Sequence, residues 1–248
     1  MEDKKTLILG GSLQKAMAGD FALDLKGLIN EAWALTQKTK WVMVQAMLLV
    51  FSLALLAVLI LANLAQFKGL DLMAPNVQLM TEILLTLLTA PLITGLMMMG
   101  INHAVGGQSR PSHLFHFLPK ALILSLSALL VSLLVELGLL LFIVPGLFLM
   151  IACSFTLPLV VEKGLTPMRA IFVSIRVVSF KWQQFVLLYL LFALLFVLVI
   201  ATFGIAFIWV GPFYYNMKGV LYRDIFGVAV RLTGQDGASQ NGESIFHA

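Results

Sequence analysis

The chain has 248 residues, of which 60% are hydrophobic and only 11% charged. A soluble domain carries about 25% charged residues, so the composition excludes a water-facing globular surface and indicates one compact membrane domain. The net charge is +4, but the Lys and Arg residues occupy several short loops and form no single patch, which argues against nucleic acid and for anionic lipid headgroups.

In chain order, residues 1–23 are polar and mixed in charge and read as a mobile N-terminal segment. They do not have the layout of a secretory signal, so the first apolar run is expected to be retained as a span. Leu25, Leu28, Ile29, Ala32, Trp33 and Thr36 recur at helical spacing, which predicts an amphipathic helix lying along the membrane surface. Residues 41–67 carry no charge. They supply span one, 41–64, matching the ~20 residues that a ~30 Å hydrocarbon core requires, with Trp41 as an interfacial anchor. Span two is 83–101 and contains Pro91, a kink whose freed carbonyl a neighbouring helix can satisfy.

Residues 121–161 are interrupted by one charge, Glu136. As a single helix they would run about 60 Å, so Val144-Pro145-Gly146 is expected to break them into spans 121–142 and 147–161. Thr166 and Pro167 then open a second amphipathic helix, with Met168, Ile171, Phe172, Ile175 and Val178 on one face and Arg169 and Arg176 on the other. Residues 182–217 are again uncharged and too long for one crossing. A turn at Phe203-Gly204 gives spans 183–202 and 205–222, with Lys218 snorkelling to the surface. Each amphipathic helix precedes a Lys-Trp pair, Lys40-Trp41 and Lys181-Trp182, so a weak internal repeat flanks the central hairpin. Residues 231–248 read as a mobile tail.

The expectation is an all-α polytopic membrane protein: one domain over 24–230 with six transmembrane helices and amphipathic interfacial helices on the cytoplasmic side. Fifteen of the sixteen Lys and Arg residues fall on one side of that scheme, Lys68 being the exception. By the positive-inside rule both termini are cytoplasmic.

Five local patterns follow one another along this scheme. They are Pro91-Leu92 with Gly95, Pro111-Ser112 with Leu114-Phe115, Val144-Pro145-Gly146, the series Gly164, Pro167, Ala170 and Ser174, and Leu221-Tyr222-Arg223-Asp224. Over about residues 25–227 the arrangement resembles the YciC-like family of bacterial six-helix inner-membrane proteins, related to the membrane domain fused to some glycerophosphodiester phosphodiesterases. The resemblance implies a bacterial inner-membrane location and a link to envelope lipid. It transfers no catalytic residue.

Glu136 is the one ionisable residue well inside an expected span, which makes it a functional candidate by default. It lies ~24 Å along the helix from Lys120, no Lys or Arg is expected within a span to pair with it, and a structural hydrogen bond is the plainer reading. Arg169, Arg176, Lys181 and Arg223 are expected to contact lipid headgroups. Pro91, Pro145, Gly146 and Gly204 are expected helix breaks or turns. Asp224, beside Arg223, reads as a capping or ion-pairing element at the end of the sixth span, and Tyr214, Tyr215 and Asn216 as an aromatic belt or a headgroup pocket. His103, His113 and His116 lack a nearby carboxylate or thiol to complete a metal site, and the single Cys153 excludes an intrachain disulfide. No catalytic set, cofactor motif or metal site is expected. The leading expectation is a non-enzymatic lipid-binding or envelope-organising protein with membrane phospholipid as its partner and self-association left open. The alternative is a small transporter or channel using Glu136.

Overall fold

The computed structural model describes residues 6–71 and 74–231. In chain order they form β1 (Thr6–Leu9), α1 (Leu13–Ala18), α2 (Leu25–Phe67), α3 (Pro75–Ala104) and a 3₁₀ segment (Pro111–Lys120) that runs into α4 (Ala121–Leu141). There follow α5 (Ile143–Ala152), α6 (Thr156–Glu162), α7 (Pro167–Phe180), α8 (Trp182–Ala201), α9 (Phe207–Phe226) and β2 (Val228–Arg231). Five segments are long and apolar enough to cross a membrane: Leu25–Phe67, Pro75–Ala104, Pro111–Leu141, Ile143–Glu162 and Trp182–Ala201. Their outer faces expose Leu48, Phe51, Leu55, Leu187, Leu190 and Leu194, among others. An apolar exterior of this extent requires lipid rather than water. The protein is a helical membrane protein.

The expected sixth span, α9, is not among the five, because Lys218, Arg223 and Asp224 lower its hydropathy. It is instead the central strut: twelve of its twenty residues are buried, and it packs against both α2 and α3. The α3–α9 contact is backbone on backbone. A Cβ on Gly219 would fall 2.1 Å from the Gly100 carbonyl oxygen, and one on Gly100 would fall 2.2 Å from that of Tyr215. Only glycine permits such an approach.

α2 is a single helix of 43 residues, about 65 Å long, opened by the Asp24 side chain accepting from the Lys26 amide at 3.2 Å. The expected surface helix is therefore its first turns, not a separate element. No Gly or Pro near Lys40-Trp41 ends it, and its Leu28, Ala32 and Thr36 continue into Met43, Ala46 and Met47 as one buried stripe. The stripe meets α9 through Thr36–Asn216 and Met47–Gly211 contacts. At the second Lys-Trp pair the helix does end, with Lys181 off the helical conformation between α7 and α8.

α3 runs through Pro91 without a break. Proline cannot donate to the carbonyl four residues earlier, and the Ser125 hydroxyl of α4 sits 3.4 Å from the carbonyl oxygens of both Thr86 and Leu87. The neighbouring-helix donor is thus Ser125. The α4–α5 turn falls at Phe142, in extended conformation, rather than at Pro145-Gly146. Pro145 lies in the first turn of α5, where its missing N–H costs nothing. Gly146 serves as the contact point, its Cα lying 3.0 Å from where a Cβ on Gly138 would stand. The expected fourth span is itself divided at Cys153–Phe155 between α5 and α6. Ser174 of α7 bridges the division, donating to the Ala152 carbonyl and accepting from the Phe155 amide at 3.2 Å. Phe203 and Gly204 both take positive φ and form the expected α8–α9 turn.

Residues 6–20, part of the stretch expected to be mobile, hold β1 and α1. β1 pairs antiparallel with β2 in the register Leu7↔Val230 and Ile8↔Ala229. Gly10, at φ +90°, and Gly11 then cross the end of α9, where the Gly11 amide donates to the Arg223 carbonyl at 3.0 Å. The expected tail beyond Arg231 and the first five residues lie outside the described residues.

Candidate functional site

Three polar clusters tie the helices together. In the first, Arg223 donates to Glu31 of α2 (Nη2 to Oε2, 2.9 Å), to the Ala104 carbonyl of α3 (2.7 Å) and to Asp224 (Nε to Oδ1, 2.8 Å). The Glu31 carboxylate holds the guanidinium above its usual range. Arg223 was expected at lipid headgroups. It is instead a half-buried clamp on three helices, because its fork geometry suits a bidentate carboxylate better than water does. Asp224 is its ion-pair partner, as expected.

In the second cluster, Tyr222 donates to Glu162 Oε2 at 2.8 Å, and Lys163 Nζ contacts Glu162 at 3.0 Å and the Gly227 carbonyl at 2.9 Å. The Tyr-Arg-Asp run thus places consecutive residues on two different anchors at the end of α9. The third cluster is buried between α2, α3 and α9. His103 Nδ1 lies 2.9 Å from Asn216 Oδ1, and Asn216 Nδ2 donates to Thr36 at 3.2 Å and Thr39 at 3.1 Å. With the amide oriented this way, the His103 nitrogen is the donor. His103 is therefore a core residue, while His113 accepts from the Arg110 amide at 3.3 Å in the loop.

On α7 the buried face is Ala170, Ile171, Val173, Ser174, Val177 and Val178. This is rotated from the expected apolar face: Met168 (69% exposed) and Phe172 (57%) point outward beside Arg169 and Arg176. The cause is Ser174, whose two hydrogen bonds to the α5–α6 division turn its side of the helix inward. The outward face therefore combines apolar and cationic side chains, and Lys181 ends it. Among the described residues no carboxylate pairs with Arg169, Arg176 or Lys181.

Glu136 is exposed on α4 and accepts from Ser132, one turn earlier, at 2.9 Å. It lines none of the cavities described below.

Lys218, expected to reach the surface, is 6% exposed. The helix backbone holds it in the interior because Gly219 is locked against Gly100. Its ammonium stands 5.0 Å from the Tyr214 ring centroid and 5.9 Å from that of Tyr189, and 3.4 Å from the Ser154 carbonyl oxygen, to which Pro158, four residues on, has no N–H to donate. Around it is a cavity of about 440 Å³, also lined by Ser132, Cys153, Ser154 and Thr156. A larger groove of about 620 Å³ adjoins it, sharing Met150, Tyr189 and Tyr214. The groove is walled by apolar residues of α2, α3, α8 and α9, such as Val50, Leu96, Phe192 and Val210. A third groove of about 890 Å³, lined by Leu25, Ile29 and leucines of α8, is apolar as well. The sequence singled out Tyr214, assigned Lys218 to the surface and passed over Tyr189. The signal available was a lysine one helical turn after a tyrosine and one residue before a glycine.

No protein-family model, curated protein sequence or solved structure matches the chain.

Proposed function

We propose that the protein is a non-enzymatic, lipid-binding component of a bacterial inner membrane, crossing it six times with both termini in the cytoplasm. The single observation that carries the lipid reading is the 620 Å³ groove: five helices line it with aliphatic and aromatic side chains, the lining that an acyl chain selects. The outward face of α7 adds headgroup affinity, since Arg169 and Arg176 beside Met168 and Phe172 suit an anionic leaflet. The six-span count is supported by the β1–β2 pairing, because two segments that hydrogen-bond to each other lie on the same side of any bilayer, so the crossings number evenly. Five apolar segments plus α9 satisfy that condition. The cytoplasmic assignment rests on the distribution of Lys and Arg, and the bacterial location on the resemblance to the YciC-like family.

The test is the lipid content of the purified protein. Co-purified anionic phospholipid is expected, and Arg169→Glu with Arg176→Glu is expected to lower it severalfold. Unchanged lipid in that variant would remove the headgroup role of α7. One observation favours transport instead: Ser132, the hydrogen-bond donor to Glu136, also lines the Lys218 cavity. A Glu136→Gln variant with altered proton or ion flux in vesicles would favour that reading.

A further inference from the structure

We infer that Lys218 and the hydroxyls around it form the headgroup site for an anionic single-chain lipid whose acyl chain lies in the adjoining groove. This assignment rests on the lipid reading above and specifies the ligand.

Lys218 is buried, and among the described residues no carboxylate lies within ion-pair distance of it. The Tyr189 and Tyr214 side chains, ring and hydroxyl together, and one carbonyl at 3.4 Å solvate an ammonium without neutralising its charge. A cation in a low-dielectric interior costs several kcal/mol unless an anion accompanies it. Glu136, the one carboxylate expected well inside a span, is exposed and committed to Ser132.

Five buried side-chain polar atoms among the described residues make no hydrogen bond of good geometry: Asn102 Oδ1, Ser154 Oγ, Thr156 Oγ1, Gln184 Oε1 and Tyr189 OH. Three of them, Ser154, Thr156 and Tyr189, line the Lys218 cavity. Thr156 is fully buried. Native proteins leave few such groups unsatisfied, and their convergence on one ammonium gives donors for the two or three oxygens of a carboxylate or phosphate.

The cavity of about 440 Å³ shares Met150, Tyr189 and Tyr214 with the apolar groove of about 620 Å³, so a polar head at Lys218 continues into an apolar channel. A free inorganic anion would use only the first. Irregular backbone at Cys153–Phe155 also belongs beside such a site, since in a membrane a divided helix is tolerated where it lines a cavity.

The experiment uses the full chain in detergent with three radiolabelled or mass-resolved probes: oleate, oleyl alcohol and inorganic phosphate. Wild type is expected to retain oleate about tenfold or more over the alcohol, in keeping with a charge-assisted hydrogen bond, and to retain no phosphate. Lys218→Met is expected to bring oleate down to the level of the alcohol while leaving alcohol retention unchanged. Thr156→Val, which preserves volume and the buried lysine, is expected to lower the oleate preference severalfold and serves if the lysine variant does not fold. An undiminished oleate preference in a folded Lys218→Met protein, or in Thr156→Val when the lysine variant does not fold, would overturn the headgroup site while leaving the lipid-binding groove intact. Phosphate retention equal to oleate would assign the site to a free anion and overturn the lipid ligand. Failure of wild type to retain either amphiphile would bring down the groove itself, and with it this assignment.

Discussion

Arg223 and Glu31 stand 192 residues apart in the chain and meet as a two-pronged ion pair, the guanidinium also holding the last carbonyl of α3. The pair is half-exposed on the Glu31 side, so its worth is set by geometry more than by burial. Arg223→Ala is expected to cost about 2 kcal/mol, since it abandons the Ala104 carbonyl and Asp224 as well. Glu31→Ala is expected to cost about half of that. A double-mutant cycle by thermal denaturation in detergent should return a coupling of about 1 kcal/mol; zero coupling would make the pair incidental.

The strand pair makes a topological prediction. Leu7 and Val230 are direct cross-strand partners, a position at which Cβ atoms lie about 5 Å apart. Leu7→Cys with Val230→Cys should therefore form a disulfide on mild oxidation. Each cysteine alone should react with an impermeant thiol reagent from the same side of sealed vesicles. Opposite sidedness would disprove the even number of crossings.

Ser125 and Pro91 should be energetically coupled. Ser125→Ala leaves the Leu87 carbonyl without a donor inside the bundle and is expected to destabilise by about 1 kcal/mol. In a Pro91→Ala background the new N–H restores the helical bond to Leu87, and the same serine change should then cost little. Equal costs in both backgrounds would show that the hydroxyl does not serve the proline gap.

Gly219 should tolerate no side chain. With its Cβ position 2.1 Å from the Gly100 carbonyl oxygen, Gly219→Ala forces α3 and α9 apart and is expected to cost about 3 kcal/mol, at the upper end for overpacking. The same separation would shift Lys218, so lipid retention should fall along with the melting temperature. A variant of wild-type stability would mean that the two helices are not in backbone contact.

Much of this architecture was legible beforehand for a simple reason: hydrocarbon imposes a length and a polarity on each segment that single residues reveal. The charge-free runs found the apolar segments, and Phe203-Gly204 found a turn, since few residues other than glycine accept positive φ. The Val144-Pro145-Gly146 expectation missed by a few residues because proline is as comfortable in a first helical turn as in a break. Nothing local marked Thr6–Leu9 as a strand, since its partner is more than 200 residues away. The amphipathic start of α2 was readable as a periodicity, but the same periodicity serves a membrane surface and a facing helix.

Composition and the order of charged and apolar residues were enough, alone, to determine that this is a helical membrane protein with its basic residues gathered in a few stretches, because transfer of side chains into lipid is a property of each residue. The fate of Lys218, Arg223 and Glu136 was decided only by tertiary structure. A lysine within a largely apolar helix snorkels or is buried according to what lies beside its backbone, and here a glycine pressed against α3 carries it inward. Whether an arginine meets a headgroup or a glutamate depends on which helix the fold brings alongside.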